Sequence, residues 1–516
     1  MARRRVLQPS TTAAPAVLAA PVAVVAVASL LLIAFASRFS DFVTDDAFIT
    51  FRYAHNLLNG HGMVFNPGER VEGYTNFLWV LCSSVALFVG IDPETAARAL
   101  SLLAWLALLV AVVRFGPRPP ASMVAIAAGP LLLALHPAVS VWAMSGLEEP
   151  LFVCLMLWGI CLTLKGAEDG RPAVAGAALL AGAALTRPEG AGVAAMTALA
   201  TACAYRRQIR YAAWLPWAAM FLALFVPYFI WRWSYYGYPV PNSFYAKVGS
   251  TGAQVLRGLR YVHESLWVTG YWWLVPAALA LTAARRRFVA VIAALFVWWL
   301  LVVAVLGGDN QPMYRFFLPP LALLGLLVSW GVACSIERLS LRGPRLAVAV
   351  VPLLAAFAYT TLPGFRGPQL AFVRQHRREV DAWRQIGRWF HDNSRAGESI
   401  AVLPAGAIPY FAELPAIDML GLNDLHIGHR QMPDMGSGPV GHEKYDVDYV
   451  LQRAPSYILV GVYGLSPDPL PANRMITPYY AAERLLLQHP QFLAHYRAAV
   501  ASVPGGRFVY FVRVVP

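Results

Sequence analysis

Long apolar runs recur along the first two thirds of the chain, separated by short polar loops. Runs that approach the thickness of a bilayer core predict membrane-spanning helices. Eleven spans are predicted, roughly at residues 14–37, 93–114, 121–135, 149–165, 173–186, 191–205, 211–233, 266–284, 288–306, 316–336 and 346–362. The apolar run at 77–90 is short for a span. Counting it as one would move Arg114 and Arg118 to the other side, so it is expected to be re-entrant or interfacial. The 173–186 and 191–205 runs are also short and are expected to pair tightly through Arg187–Gly190.

Elsewhere the apolar positions become periodic. Phe48, Phe51, His55 and Leu58 repeat at three and four, which predicts a helix over 46–58 stopped by Asn59-Gly60. Beyond Gly364 no further run is long enough to span. Val373, Val380, Trp383, Ile386 and Phe390 share one helical face. They are followed by a strand near 399–403, a helix around 443–453, a strand near 456–462, a helix near 478–488 and a hairpin over 496–515 turned at Gly505-Gly506. The fold class is therefore a polytopic α-helical membrane protein of about eleven spans with a C-terminal extracytoplasmic α/β domain, divided as 1–363 and 364–516.

Composition agrees with that class. The 516 residues are 58% hydrophobic and 13% charged, where soluble chains carry about 25% charged residues. The net charge of +13 does not indicate nucleic acid. The stretch from Gly364 onward holds 15 Lys+Arg against 13 Asp+Glu, so nearly all the excess lies in the membrane part. There it falls in inside loops: Arg114 and Arg118, Lys165 and Arg171, Arg206-Arg207 with Arg210, Arg285–Arg287, and Arg338, Arg342 and Arg345. Cys82, Cys154, Cys161, Cys203 and Cys334 lie in or beside apolar runs and read as packing residues, not as a disulfide or metal framework. Arg3-Arg4-Arg5 before an apolar stretch resembles a signal peptide, but the stretch is too long, so an uncleaved first span is expected.

With that topology the polar motifs gather on the opposite, outer face. They are Asp45-Asp46, His136-Pro137, Arg187-Pro188-Glu189-Gly190, Asn242–Lys247 and Gly307-Gly308-Asp309. Each has a plain structural account. One aspartate suits a helix N-terminus, but Thr44 can cap it too, which leaves a carboxylate over. Adjacent carboxylates also split their pKa values, and an ionised one beside the membrane suits deprotonation of an acceptor hydroxyl. Arg187 can pair with Glu189, and Glu69 and Glu72 flank Arg70. Trp79, Trp142, Tyr74, Tyr245 and Tyr314 suit an interfacial belt as well as sugar stacking.

The run Asp45-Asp46-Ala47-Phe48-Ile49-Thr50-Phe51-Arg52 resembles a family of bacterial membrane glycosyltransferases of the GT-C fold, as do Asn66-Pro67-Gly68-Glu69-Arg70-Val71-Glu72-Gly73-Tyr74-Thr75-Asn76 and Asn242–Lys247. That family includes the terminal β-(1→2) arabinofuranosyltransferase of mycobacterial arabinan. Ser145–Glu148, Arg187–Gly190, Gly307–Asp309 with Arg315-Phe316, Gly421–Asp424 and Gly441–Lys444 extend the resemblance over nearly the whole chain. It implies a polyprenyl-phosphate-linked sugar donor, D-arabinofuranose as the best guess, and a cell-envelope glycan acceptor on the outer face of the bacterial cytoplasmic membrane. A phosphate leaving group needs cations more than a general acid. Arg52, Arg187, Lys247 and Arg315, with His136, are the expected phosphate ligands. Asp45 is the expected base, with Asp46 orienting it or binding the acceptor. Glu72, Tyr74, Asn76, Glu148, Glu189, Asn242, Tyr245 and Asp309 are expected at the sugar and acceptor. No spacing singles out a metal site, which leaves a divalent cation as an open option. The competing class is a transporter or flippase of lipid-linked glycans, which would need ionisable groups deep in the spans.

Overall fold

The computed structural model describes residues 13–249, 251–364, 367–469 and 471–514; the Arg3-Arg4-Arg5 motif lies outside them. The chain begins with α1 (Ala13–Ala36), then α2 (Asp45–Leu58), α3 (Phe77–Phe88), α4 (Pro93–Phe115), α5 (Met123–Leu135) and α6 (Pro137–Trp142). Next come α7 (Glu149–Glu168), α8 (Val174–Thr186), α9 (Glu189–Ala204), α10 (Leu215–Tyr236) and α11 (Asn242–Lys247). The helical part continues with α12 (Gly252–Thr269), α13 (Leu274–Ala280), α14 (Arg286–Leu306), α15 (Leu318–Arg338) and α16 (Gly343–Gly364). Among the described residues, seven helices are long and apolar enough to cross a membrane, and five shorter apolar helices pack with them. This is a multi-pass membrane protein.

Glycines set the closest helix approaches. A side chain at Gly129 would strike the backbone of Gly325, bringing α5 onto α15, and Gly159 and Gly176 do the same for α7 and α8. Lipid gives no hydrophobic incentive for helices to associate, so close backbone packing has to supply the contact. By contrast α10 buries only Trp217, Arg232 and Tyr236. One predicted span is corrected. The 266–284 run is not one helix, because Gly270 at φ +104° breaks it between α12 and α13.

The C-terminal region starts with α17 (Pro368–Asn393), whose buried Val373, Val380, Trp383, Ile386 and Phe390 are the predicted face. It continues through β1 (Ile400–Val402), α18 (Ala407–Ala412), β2 (Ala416–Asp418), α19 (Leu425–His429), α20 (Val447–Gln452) and β3 (Tyr457–Ile458). It closes with α21 (Ala481–Gln488), α22 (Pro490–His495), β4 (Tyr496–Val503) and β5 (Gly506–Arg513). The sheet order is β2-β1-β3-β5-β4, with β1 parallel to β2 and β3, and β5 antiparallel to β3 and β4. The three-residue β2 and the short α18, α19 and α22 were not predicted. They are too brief to leave a periodic signature.

Candidate active site

The two adjacent aspartates at the start of α2 turn to different neighbours. Thr44 occupies the N-cap without a side-chain capping bond. The Asp45 carboxylate instead accepts the backbone N–H groups of Gly406 (2.9 Å) and Ala407 (2.7 Å), tying α2 to the loop before α18. Gly406 is needed there, because a side chain would collide with the Asp45 backbone. Asp46 keeps 28% of its side chain exposed, takes a hydrogen bond from Gln311 (3.3 Å) and lies 3.6 Å from Arg315 Nη1. Asp45 is thus held by backbone donors, and Asp46 is the more exposed of the two.

Burial raises the Asp45 carboxyl from 3.8 to about 6, against the lowering effect of its backbone donors. Between those values the folded chain retains a proton that the unfolded chain has released, so this group's contribution to stability falls as pH rises from 3.8 to about 6. Thermal melts across that window are expected to show a wild-type slope that Asp45→Asn removes. Burial also opposes ionisation of Asp46, but the charges of Lys247 and Arg315, with His376 and His442, hold it below its ordinary value.

Behind Asp46 lies a network of charges. Arg187 Nη1 donates to Glu148 (2.7 Å) and Glu149 (2.8 Å), and its Nη2 donates to Glu189 (3.2 Å). Arg315 grips Asp309 through Nε (2.7 Å) and Nη2 (3.0 Å), with Glu149 at 3.4 Å. Asn76 donates to the second Glu148 oxygen (2.7 Å). Lys247 makes no ion pair with any described residue. Asp46, Asn76, Glu148, Arg187, Glu189, Lys247, Asp309 and Arg315 all line one cavity of about 410 Å³. A second cavity of about 960 Å³ shares Asp46, Ile49, Lys247, Leu422 and Val440 with it. That chamber is walled largely by α17 and the C-terminal domain, including Gln375, His376, Trp383, His442, Tyr463 and Tyr480. Among the described residues no group of three metal-ligating side chains is assembled.

Several expected ligands stand elsewhere. Arg52 is buried against Phe65 and donates to the carbonyls of Phe65, Pro409 and Leu414 and to Asn66, fastening α2 to the C-terminal domain. His136 caps α6 through the Ala138 N–H and meets Thr269 at 3.3 Å. Glu72 is taken by Arg232, whose Nε stands 2.8 Å from both oxygens. Asn242 donates to the carbonyls of Gly421, Leu422 and Asp424. Tyr245 packs on His429 and Tyr238. None of these five residues lines the first cavity. Tyr74 does line it, but its hydroxyl donates to the Met63 sulfur and accepts from Tyr236. Trp79 and Trp142 are core residues. Glu149, left out of the expected site, is a central partner of both arginines. His376 and Trp383 sit on the helical face that reads as packing, so periodicity hid them.

The architecture is the GT-C fold of membrane glycosyltransferases. The crystal structure of ArnT from Cupriavidus metallidurans bound to undecaprenyl phosphate superimposes with a TM-score of 0.59 at 14% identity, covering 96% of this chain and 98% of that one. The oligosaccharyltransferase of Archaeoglobus fulgidus gives 0.54 at 10% identity, over 93% and 73%. In sequence, the chain is similar to a protein named terminal beta-(1->2)-arabinofuranosyltransferase in Mycobacterium tuberculosis, 32% identical over 249 residues, which are 44% of this chain and 39% of that one. The protein of the same name in Corynebacterium glutamicum is 30% identical over 263 residues, 44% and 34% of the two chains. The chain thus spans well under half the length of these curated relatives. Residues 370–510 match a family described as Domain of unknown function (DUF8728).

Proposed function

We propose that the protein is a GT-C glycosyltransferase that moves a sugar, D-arabinofuranose by similarity to the curated relatives, from a polyprenyl phosphate to a cell-envelope glycan. Transfer takes place on the extracytoplasmic face of the bacterial cytoplasmic membrane. The observation that carries this is the meeting of a solvent-accessible carboxylate, Asp46, with Lys247, a cation without an ion pair among the described residues, where two cavities join. The smaller cavity, with the arginines at its polar end, receives the phospho-sugar. The larger one, lined by rings and amides from the C-terminal domain, receives the acceptor.

In this arrangement Lys247 makes the primary contact with the donor phosphate. Arg187 and Arg315 already balance nearby carboxylates, so they supply position more than free charge. A bound phosphate engages Lys247 and Arg315, the charges that stabilise ionised Asp46. The Asp46 carboxyl then rises toward neutrality, where it is a better base for the acceptor hydroxyl. The C1–O bond to phosphate breaks, the acceptor oxygen bonds to C1, and its proton passes to Asp46.

The test is transfer from synthetic polyprenyl-phospho-arabinofuranose to an arabinan oligosaccharide by the purified full chain. Failure with this and other polyprenyl-phospho-sugars, alongside movement of lipid-linked glycan between leaflets, would overturn the enzyme reading. Lys247→Gln is expected to raise the donor KM about tenfold with a smaller effect on kcat, as measured by steady-state kinetics.

A further inference from the structure

The motif Gly441-His442-Glu443-Lys444 takes no part in the chemistry described so far. Three of its four residues anchor the loop. Gly441 turns at φ +77° and brings the backbone close to Lys247, whose Cε would stand 3.2 Å from a Cβ there. The Glu443 carboxylate accepts the backbone N–H groups of Gly436 (2.7 Å) and Gly438 (2.8 Å) and pairs with Arg257 of α12 (3.0 Å). Lys444 is buried and donates to the Gly428 carbonyl (2.8 Å). A loop tied down at these points holds His442 in one place.

The His442 ring lies against Tyr480, with centroids 4.3 Å apart and an interplanar angle of 19°. Its Nδ1 stands 3.1 Å from the Val440 carbonyl, which can only accept, so in the neutral ring Nδ1 carries the proton and Nε2 the lone pair. Among the described residues no hydrogen bond reaches Nε2. The ring lines the second cavity together with Asp46 and Lys247. Asp46 is close by: the Asn310 amide meets His442 Nδ1 at 3.2 Å, and the next residue, Gln311, donates to Asp46 at 3.3 Å. Burial, with the Lys247 charge beside it, holds the imidazole below its ordinary value and keeps the resting ring neutral.

Resting on the transfer reaction proposed above, we infer that His442 is its second proton-carrying residue: Nε2 takes from Asp46 the proton that the acceptor hydroxyl has given up. After each transfer Asp46 is left protonated at the junction of two filled cavities, and it has to be ionised again before the next acceptor. An imidazole is ordinarily the stronger base, with a pKa of about 6.5 against about 3.9 for Asp. The proton moves from an Asp46 oxygen to Nε2, Asp46 returns to the carboxylate, and the imidazolium releases the proton to water in the larger chamber. No other bond changes. Lys247 favours that release, because neighbouring cations disfavour each other.

His442→Asn keeps a donor for Val440 in place of Nδ1 and removes Nε2. Transfer from synthetic polyprenyl-phospho-arabinofuranose to an arabinan oligosaccharide is measured with the full chain, and melting temperatures check that each variant is folded. The kcat of His442→Asn is expected to fall about 10²-fold with donor KM unchanged. In His442→Ala, imidazole added to the assay is expected to raise kcat about tenfold, while it restores nothing in Asp46→Asn. Near-wild-type turnover in His442→Asn, or a loss in His442→Ala that imidazole leaves untouched, overturns the relay and leaves the transferase reading standing. A second arm needs no turnover: His442 Nε2 is expected to be carbethoxylated by diethylpyrocarbonate near pH 7, mapped by mass spectrometry on the wild-type chain. An unreactive Nε2 overturns the relay. Absence of transfer from any donor by the wild type overturns the transferase reading, and the relay with it.

Discussion

Replacing Asp46 with Asn is expected to lower kcat by about 10²–10⁴-fold, the contribution of a positioned general base. Asn keeps the size of the side chain and can still accept from Gln311, so the loss reports proton transfer. Donor KM is expected to hold or fall, because a negative charge beside the phosphate site is removed. Asp45→Asn should show the opposite emphasis. It disturbs the bonds to Gly406 and Ala407 and lowers melting temperature more than turnover. In the wild type, the acid limb of kcat should lie at higher pH than that of kcat/KM. The free enzyme holds Asp46 below its ordinary pKa through Lys247 and Arg315, and the bound phosphate shares those charges. Near-wild-type turnover in Asp46→Asn would remove this residue from the chemistry.

The largest expected effect on stability is at Glu72. Its carboxylate lies between the α2–α3 segment and α10, with Arg232 Nε at 2.8 Å from each oxygen and both side chains almost fully buried. Glu72→Ala leaves the guanidinium buried without its counter-charge, a change that costs roughly 3–5 kcal/mol in comparable pairs. Removing both partners as Glu72→Leu with Arg232→Met should recover most of that loss. Thermal or denaturant unfolding in a fixed detergent distinguishes the cases. Were Glu72 a sugar ligand instead, the double variant would recover stability and remain inactive.

These two residues illustrate what was legible beforehand. The resemblance motifs around Asp45 and Glu72 were found in the right loop, and the convergence of loops on one face followed from the distribution of basic residues. The motifs do not separate residues that touch a ligand from residues that hold the loop. Arg52, Glu72 and Asn242 hold the loop through protein partners, although the Asn242 Oδ1 is buried without a hydrogen bond among the described residues. Their partners Leu414, Arg232 and Gly421 are more than 150 positions away. No local pattern encodes such a pairing. Lys247, in contrast, is legible in the sequence as a cation in a loop expected on the outer face, and only the structure shows it unpaired among the described residues at the junction of two cavities.

The sequence by itself determined the membrane class, the positions of most helices, the amphipathic face of α17 and the closing hairpin. These follow from local apolar periodicity and from glycine and charge placement, which act over a few residues. The tertiary structure decided which of two neighbouring aspartates is held by backbone donors, which arginines are already neutralised, and that α17 walls a second chamber. The physical reason is that a buried carboxylate or guanidinium is defined by what compensates its charge. In this protein the compensating groups come from distant helices and from the C-terminal domain.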